Sequence, residues 1–173
     1  MSLDHSPLHH LLGYCLARAS IQTDQIFYSA LGGPLELRPV EFTILALIDA
    51  NSDVTAKRLS TALALSPPNM SVVLDRLVKR GLIRRAQSGT DKRAQLLHLT
   101  AKGAALNARA NKVSQDMERD LLARITPAER AMLFELLDKV VADRRKVATP
   151  AVSSEAPVKA GVESRRQKPR AQG

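Results

Sequence analysis

A mainly α-helical chain carrying one small β-hairpin is the fold class this sequence predicts, and three observations predict it. Aromatic residues are only 3% of 173 and Trp is absent, so a core must be built from Leu, Val, Ile and Ala, which favours packed helices over a sandwich of sheets. Apolar residues recur at helical spacing in successive segments bounded by Ser, Thr, Pro or Gly. One stretch departs from that period: Leu82 to Ala86 and Gln95 to Leu99 read as short strands, with the turn formers Ser88, Gly89, Thr90 and Asp91 between them. A hydrophobic content of 45% suffices for one compact domain plus a tail.

The elements follow in order. Ser6 and Pro7 give a cap-then-proline start, after which Leu8, Leu11, Leu12, Cys15, Ala19, Ile26 and Phe27 form a helical stripe running to a break at Gly32-Gly33-Pro34. Pro39 opens a second helix with Val40, Ile44, Leu45, Leu47 and Ile48 apolar, closed by Asn51-Ser52-Asp53. Thr55 caps a third, Ala56 to Ala64, whose Leu59 and Leu63 face inward. Only Leu65 and Ser66 separate it from the next, so the two must cross sharply, as in a helix-turn-helix. Ser66 is placed to cap that fourth helix, Pro67 sits where a missing N–H costs nothing, and Gly81 ends it. Met70, Val73, Leu74, Leu77 and Val78 make its apolar face. Beyond the hairpin, Thr100 caps a long helix with Leu106, Ala110, Val113, Met117 and Leu121 in phase. Thr126 and Glu129 have capping-box spacing and open a last helix bearing Met132, Leu133, Leu136, Leu137, Val140 and Val141. From Ala148 onward, prolines and basic residues without apolar periodicity predict a disordered tail.

Charge narrows the function. Lys plus Arg number 26 against 17 Asp plus Glu, giving a net charge of +9 and a pI near 10.2, which favours nucleic acid or another anionic partner. Cys15 is the sole cysteine, so no intramolecular disulfide is possible. The N-terminus MSLDHSPLHH lacks a basic, then apolar, leader pattern and no run reaches membrane-spanning length, so a cytoplasmic protein without a membrane partner is expected. No Ser-His-Asp set, phosphate loop, Cys-x-x-Cys or His-x-x-x-His spacing is present, so neither an enzyme nor a cofactor or metal is expected. His9 and His10 are adjacent and point apart, which is poor metal geometry.

A helix with one polar, partly basic face followed directly by a hairpin with a cationic tip suits double-stranded DNA: the helix fits a major groove while the tip reaches a minor groove. That arrangement is a winged helix-turn-helix, an α+β variant of the mainly α class. At the tip, Arg93 can enter a narrow minor groove, held by Asp91 and flanked by Lys92. On the fourth helix Pro68, Asn69, Ser71, Val72 and Arg76 face away from the apolar stripe. Asn69 suits an adenine edge, Arg76 a guanine or a phosphate, and Val72 a thymine methyl. Thr55, Lys57, Ser66, Lys79 and Arg84 are expected phosphate contacts. The predicted organisation is residues 1–34 as an N-terminal dimerisation helix, 35–100 as the DNA-binding domain, 101–147 as C-terminal dimerisation helices and 148–173 as the tail. A domain of some 65 residues cannot cover three flanking apolar stripes, so a homodimer is expected, presenting two recognition helices to one side of a duplex.

The run TAKRLSTALALS, the stretch PPNMSVVLDRLVKRGLIRR and above all Asp91-Lys92-Arg93 followed by Leu96-Leu97-His98-Leu99-Thr100-Ala101-Lys102-Gly103 resemble the MarR family of winged-helix regulators, over residues 8 to 145. The family's wing reads D-x-R, then a strand ending L-T-x-x-G. The resemblance implies a bacterial transcription factor, usually a repressor, on a pseudo-palindromic operator, released by a small phenolic or carboxylate effector. It also implies the minor-groove role for Arg93. One departure is Arg38 before Pro39, where Thr or Ser is common; this predicts a poorer cap and a cation near the groove where the family holds ligands. His10, Tyr14 and Arg18 fall at i, i+4 and i+8 beside the first stripe, where Arg18 can pair with a carboxylate and Tyr14 stack on a ring. Cys15, within that stripe, reads as a buried inert thiol rather than a redox sensor. The rival readings are a nonspecific architectural DNA binder and a winged-helix protein-interaction module.

Overall fold

The computed structural model describes residues 3–87 and 95–142. The segment with Asp91, Lys92 and Arg93, and the basic tail, lie outside the described residues. The chain divides into two compact units, Met1–Thr126 and Pro127–Gly173.

The first unit runs α1 (Leu12–Phe27), α2 (Gly33–Leu35), α3 (Pro39–Ala50), α4 (Ala56–Leu63), α5 (Pro67–Lys79), β1 (Ile83–Gln87), β2 (Gln95–Leu99), α6 (Ala101–Ser114) and α7 (Arg119–Leu122). The described part of the second is α8 (Pro127–Ala142). The mainly helical class with one antiparallel hairpin is therefore as the composition and periodicity predict. Ile83 lies opposite Leu99 and Gln87 opposite Gln95. Leu97 N–H also donates to the Val54 carbonyl at 2.8 Å, which docks the hairpin on the turn between α3 and α4.

The core forms where α3, α4, α5, the hairpin and α6 converge. Leu31, Leu37, Ile44, Leu45, Met70, Leu74, Leu77 and Leu82 are fully buried there. Each such side chain stabilises the fold by about 1.5–3 kcal/mol relative to exposure. Two backbone devices set the geometry of this region. Gly81, at φ +68°, closes α5: its N–H bonds the Val78 carbonyl at 2.8 Å and the Leu82 N–H bonds Leu77 at 2.9 Å, the Schellman pattern that turns the chain into β1. Thr100 then caps α6 by accepting from Gly103 N–H at 3.0 Å while donating to Gly81 at 2.7 Å.

Several expectations are corrected. Ser6 does not open α1. Its N–H and hydroxyl both donate to the Asp4 carboxylate at 2.9 Å, holding that carboxyl below its usual range and making a separate 3₁₀ turn, Ser6–Leu8. Gly32-Gly33-Pro34 does not break the helix. Pro34 has no N–H, and the chain widens into a π turn over Tyr28–Gly32, with Gly33 N–H reaching Tyr28, and continues as α2 until Glu36 at φ 52°. The Ser66 hydroxyl makes no capping bond; Pro67 and Pro68 carry no N–H at the first two helical positions, and the Asn69 N–H at the third is not taken up by Ser66. Val78, expected on the buried face, is 38% exposed.

The start of α3 is not weakened by Arg38, since Glu41 accepts from the Arg38 N–H at 3.0 Å and supplies the closure from the other side. The long helix is interrupted after Ser114, where three- and four-residue bond spacings mix and Asp116 pairs with Arg119. Cys15 is exposed rather than buried, its thiol facing the His9 carbonyl at 3.5 Å.

Candidate nucleic-acid interface

α5 is two-sided. With about 100° between successive residues, Met70, Leu74 and Leu77 form one buried row. Pro68, Val72, Asp75 and Lys79 form the opposite, exposed row, flanked by Asn69 and Ser71. Val72 is 59% exposed at the middle of this outer row. An apolar β-branched side chain held in water between polar neighbours gains nothing for the fold, and a partner that offers a methyl group fits it.

The helix is fixed from both flanks. On one, Arg85 from β1 donates to Asp75 at 2.6 Å, joining the hairpin to the recognition helix. On the other, Arg76 donates to Glu41 of α3 at 3.2 Å. Arg76 was expected to take a guanine or a phosphate, and the structure turns it toward that buried carboxylate. Arg84 stands opposite His98 across the hairpin, and because side chains alternate along a strand it lies on the face away from Arg85 and α5. Lys57 and Thr55 lie on the first turn of α4, where the Thr55 hydroxyl accepts from Arg58 N–H at 3.2 Å. Arg58 in turn donates to the Ser52 and Asp53 carbonyls at 3.1 and 2.8 Å, holding the turn before α4. An open hollow of about 570 Å³ lies between α4, α5 and the strands, walled by Lys57, Ser60, Thr61, Ser71, Arg85 and Gln95. The structure thus brings together Lys57, Ser66, Pro68, Asn69, Ser71, Val72 and Lys79 on one side, while Arg76 and Arg84 turn elsewhere.

Sequence reasoning missed Arg58, Asp75, Arg80, Arg85 and Glu41 as determinants of this surface. Arg85 carried a signal, since strand alternation puts it on the same side as the apolar Ile83 and so toward α5. The bond from Arg76 to Glu41 spans 35 residues and no local pattern announces it.

The candidate effector residues are arranged differently from expectation. Tyr14 bonds His5, and Arg18 contacts His9 at 3.3 Å and lies 5.9 Å over the Tyr14 ring. His10 is not in this group, because α1 begins only at Leu12 and the i, i+4 rule does not reach back to it. Arg38 lines a separate open hollow with Tyr28, Glu36, Glu41, Arg76 and Arg80. Among the described residues no three His, Cys, Asp or Glu side chains are grouped to hold a metal, and no helix is long and apolar enough to cross a membrane.

A sequence profile described as the MarR family matches residues 35–94. The multiple antibiotic resistance protein MarR of Escherichia coli is 30% identical over 131 residues, 75% of this chain and 90% of that protein. The transcriptional repressor CouR bound to a 23-mer DNA duplex superposes with a TM-score of 0.74 at 34% identity, covering 82% of this chain and 99% of that one. CouR bound to p-coumaroyl-CoA superposes with a TM-score of 0.71 at 33% identity, covering 81% and 98%.

Proposed function

The chain belongs to the MarR family of DNA-binding transcriptional regulators, and on that premise we propose that it works as a homodimeric, sequence-specific repressor released by a small aromatic or carboxylate effector. The observation that carries the DNA-binding half is the outer row of α5, exposed along its length beside the hairpin while the inner row is buried. Asn69, Ser71 and Val72 read base edges. Lys57, Thr55, Ser66 and Lys79 set the register on phosphates, Pro68 shapes the first turn, and Arg93 with Asp91 and Lys92 enters the minor groove. Binding to operator DNA places the protein in the cytoplasm.

The dimer is supported by apolar side chains with no cover. Leu8, Leu11, Leu12 and Leu16 near the start of the first unit, and Met132, Leu133, Phe134, Leu136 and Val140 on α8, are all exposed. Exposed apolar side chains gathered in this way on each unit are of the kind that marks an interface. A two-fold pair then offers two recognition helices, which engage successive major grooves when about 34 Å apart. An effector that changes that spacing weakens binding through a small rigid rotation. Effector control is supported by the similarity to CouR, which has been seen with p-coumaroyl-CoA. Tyr14, Arg18 and Arg38 are the residues offered to such a ligand, with His10 at its edge.

A salt titration on two duplexes tests this reading. The duplex this protein selects from a random pool is expected to bind at least about 10³-fold more tightly than random sequence at physiological salt. Equal affinities at every salt would make it an architectural binder, and an Arg93→Ala variant with undiminished duplex binding would favour a protein-interaction module.

A further inference from the structure

Glu41 is 1% exposed, and its carboxylate joins three segments of the chain. Oε1 accepts from Arg76 at 3.2 Å, and Oε2 accepts from the Arg38 N–H at 3.0 Å and from Arg80 at 3.4 Å. Arg80 also donates to the Glu36 and Leu35 carbonyls at 2.7 and 3.5 Å. One buried group thereby ties the end of α2, the first turn of α3 and the last turns of α5. A carboxylate removed from water is costly unless it is paired, and an apolar residue of similar volume would escape that cost. What the apolar residue lacks is a directional hold on two guanidinium groups.

Those groups lie at the edge of the surface that carries sequence recognition. Arg76 stands about 40° round α5 from Val72, and its side chain is 34% exposed, so release from Glu41 would let it swing toward a phosphate. We propose that Glu41 is a positioning residue for DNA recognition: by holding Arg76 and Arg80 it fixes the roll of the recognition helix and keeps both cations from acting as sequence-independent phosphate contacts. The inference rests on the reading of the outer row of α5 as the DNA face. It reverses the expectation that Arg76 touches DNA itself.

The test measures binding against salt for a random-sequence duplex and for the duplex selected by the wild-type protein from a random pool. Glu41→Gln keeps the volume and an acceptor for the Arg38 N–H but removes the charge that holds the guanidinium groups. It is expected to steepen the log–log salt slope on random duplex by about 0.9 for each cation that reaches a phosphate. For each, that is about a threefold gain between roughly 200 and 50 mM salt. Preference for the selected duplex should fall. Arg76→Met keeps the aliphatic stem and is expected to leave the random-duplex slope unchanged while also lowering that preference.

A Glu41→Gln protein with the wild-type slope overturns the proposal, whether its affinity is unchanged or lowered alike for both duplexes. So does an Arg76→Met protein whose slope is shallower by about 0.9, since Arg76 would then be a phosphate contact. Lys79→Ala separates the two levels of the argument. If it leaves the slope unchanged, the DNA-face reading itself is at fault; if it lowers the slope while Glu41→Gln does nothing, only the role of Glu41 is lost.

Discussion

Replacing Gly103 by Ala is expected to damage the junction between hairpin and α6 more than a methyl addition at any other glycine among the described residues. A Cβ at this position would sit 1.9 Å from the Leu82 carbonyl oxygen, 2.9 Å from its carbon and 3.2 Å from the Leu82 Cα. All three obstacles are backbone, so no rotamer relieves the overlap and the first turn of α6 must move by about 1 Å or more. That movement breaks or stretches the Thr100 N–H bond to Leu82 at 3.0 Å, the Thr100 hydroxyl bond to Gly81 at 2.7 Å and the cap from Gly103 at 3.0 Å. Two or three such bonds at about 1 kcal/mol each, with about 1–3 kcal/mol for overpacking, less about 1 kcal/mol regained from helix propensity, leave a net loss of about 2–5 kcal/mol. For a chain of this size the melting temperature should fall by roughly 4–20 °C. Thermal and urea unfolding followed by circular dichroism, at one fixed protomer concentration, measures it. A variant within about 0.5 kcal/mol of wild type would refute the close approach as the reason for glycine here.

Ala64 ends α4 at φ 52°, in the left-handed region, so Ala64→Gly should raise stability by about 0.5–1 kcal/mol in the same unfolding assay. Thr100→Ala removes a helix cap together with a bond to Gly81 and should cost about 1–2 kcal/mol, whereas Ser66→Ala, which removes no capping bond, should change stability by less than about 0.5 kcal/mol. Leu133→Glu with Val140→Glu on the exposed apolar face of α8 should yield a monomer by analytical ultracentrifugation; an unaltered dimer would remove that face from the proposed interface.

The order of the elements, the two-sided character of α5 and the glycine-closed turn into the hairpin were legible in the sequence, because each depends on residues within a few positions of one another. Gly81 and Thr100 show this well: their signals are local, and the structure places them where those signals point. What escaped was either a competition between local signals or a contact across long sequence separation. At Ser6 the cap signal lost to Asp4, two residues earlier. At Ser66 two prolines left fewer donors in the first turn and the capping bond is not made. At Gly32-Gly33-Pro34 the widened turn accommodated residues that ordinarily end a helix. Arg76 illustrates the second kind, since its position on the outer half of α5 was read correctly from periodicity while its partner, Glu41, lies in another helix. The exposed Cys15 belongs here too, because a stripe shows where apolar cover is needed and not whether one chain supplies it.

Backbone amide shifts recorded while duplex DNA is titrated into the isotopically labelled protein bear most directly on where this protein meets its partner. The largest changes should fall on Ser66 to Lys79 along the outer row of α5, on Thr55 to Lys57, and on the segment 84–95 that includes Arg93, and they should weaken together as salt is raised. Changes confined to α1 and α8 with α5 silent would contradict the assignment of the DNA face.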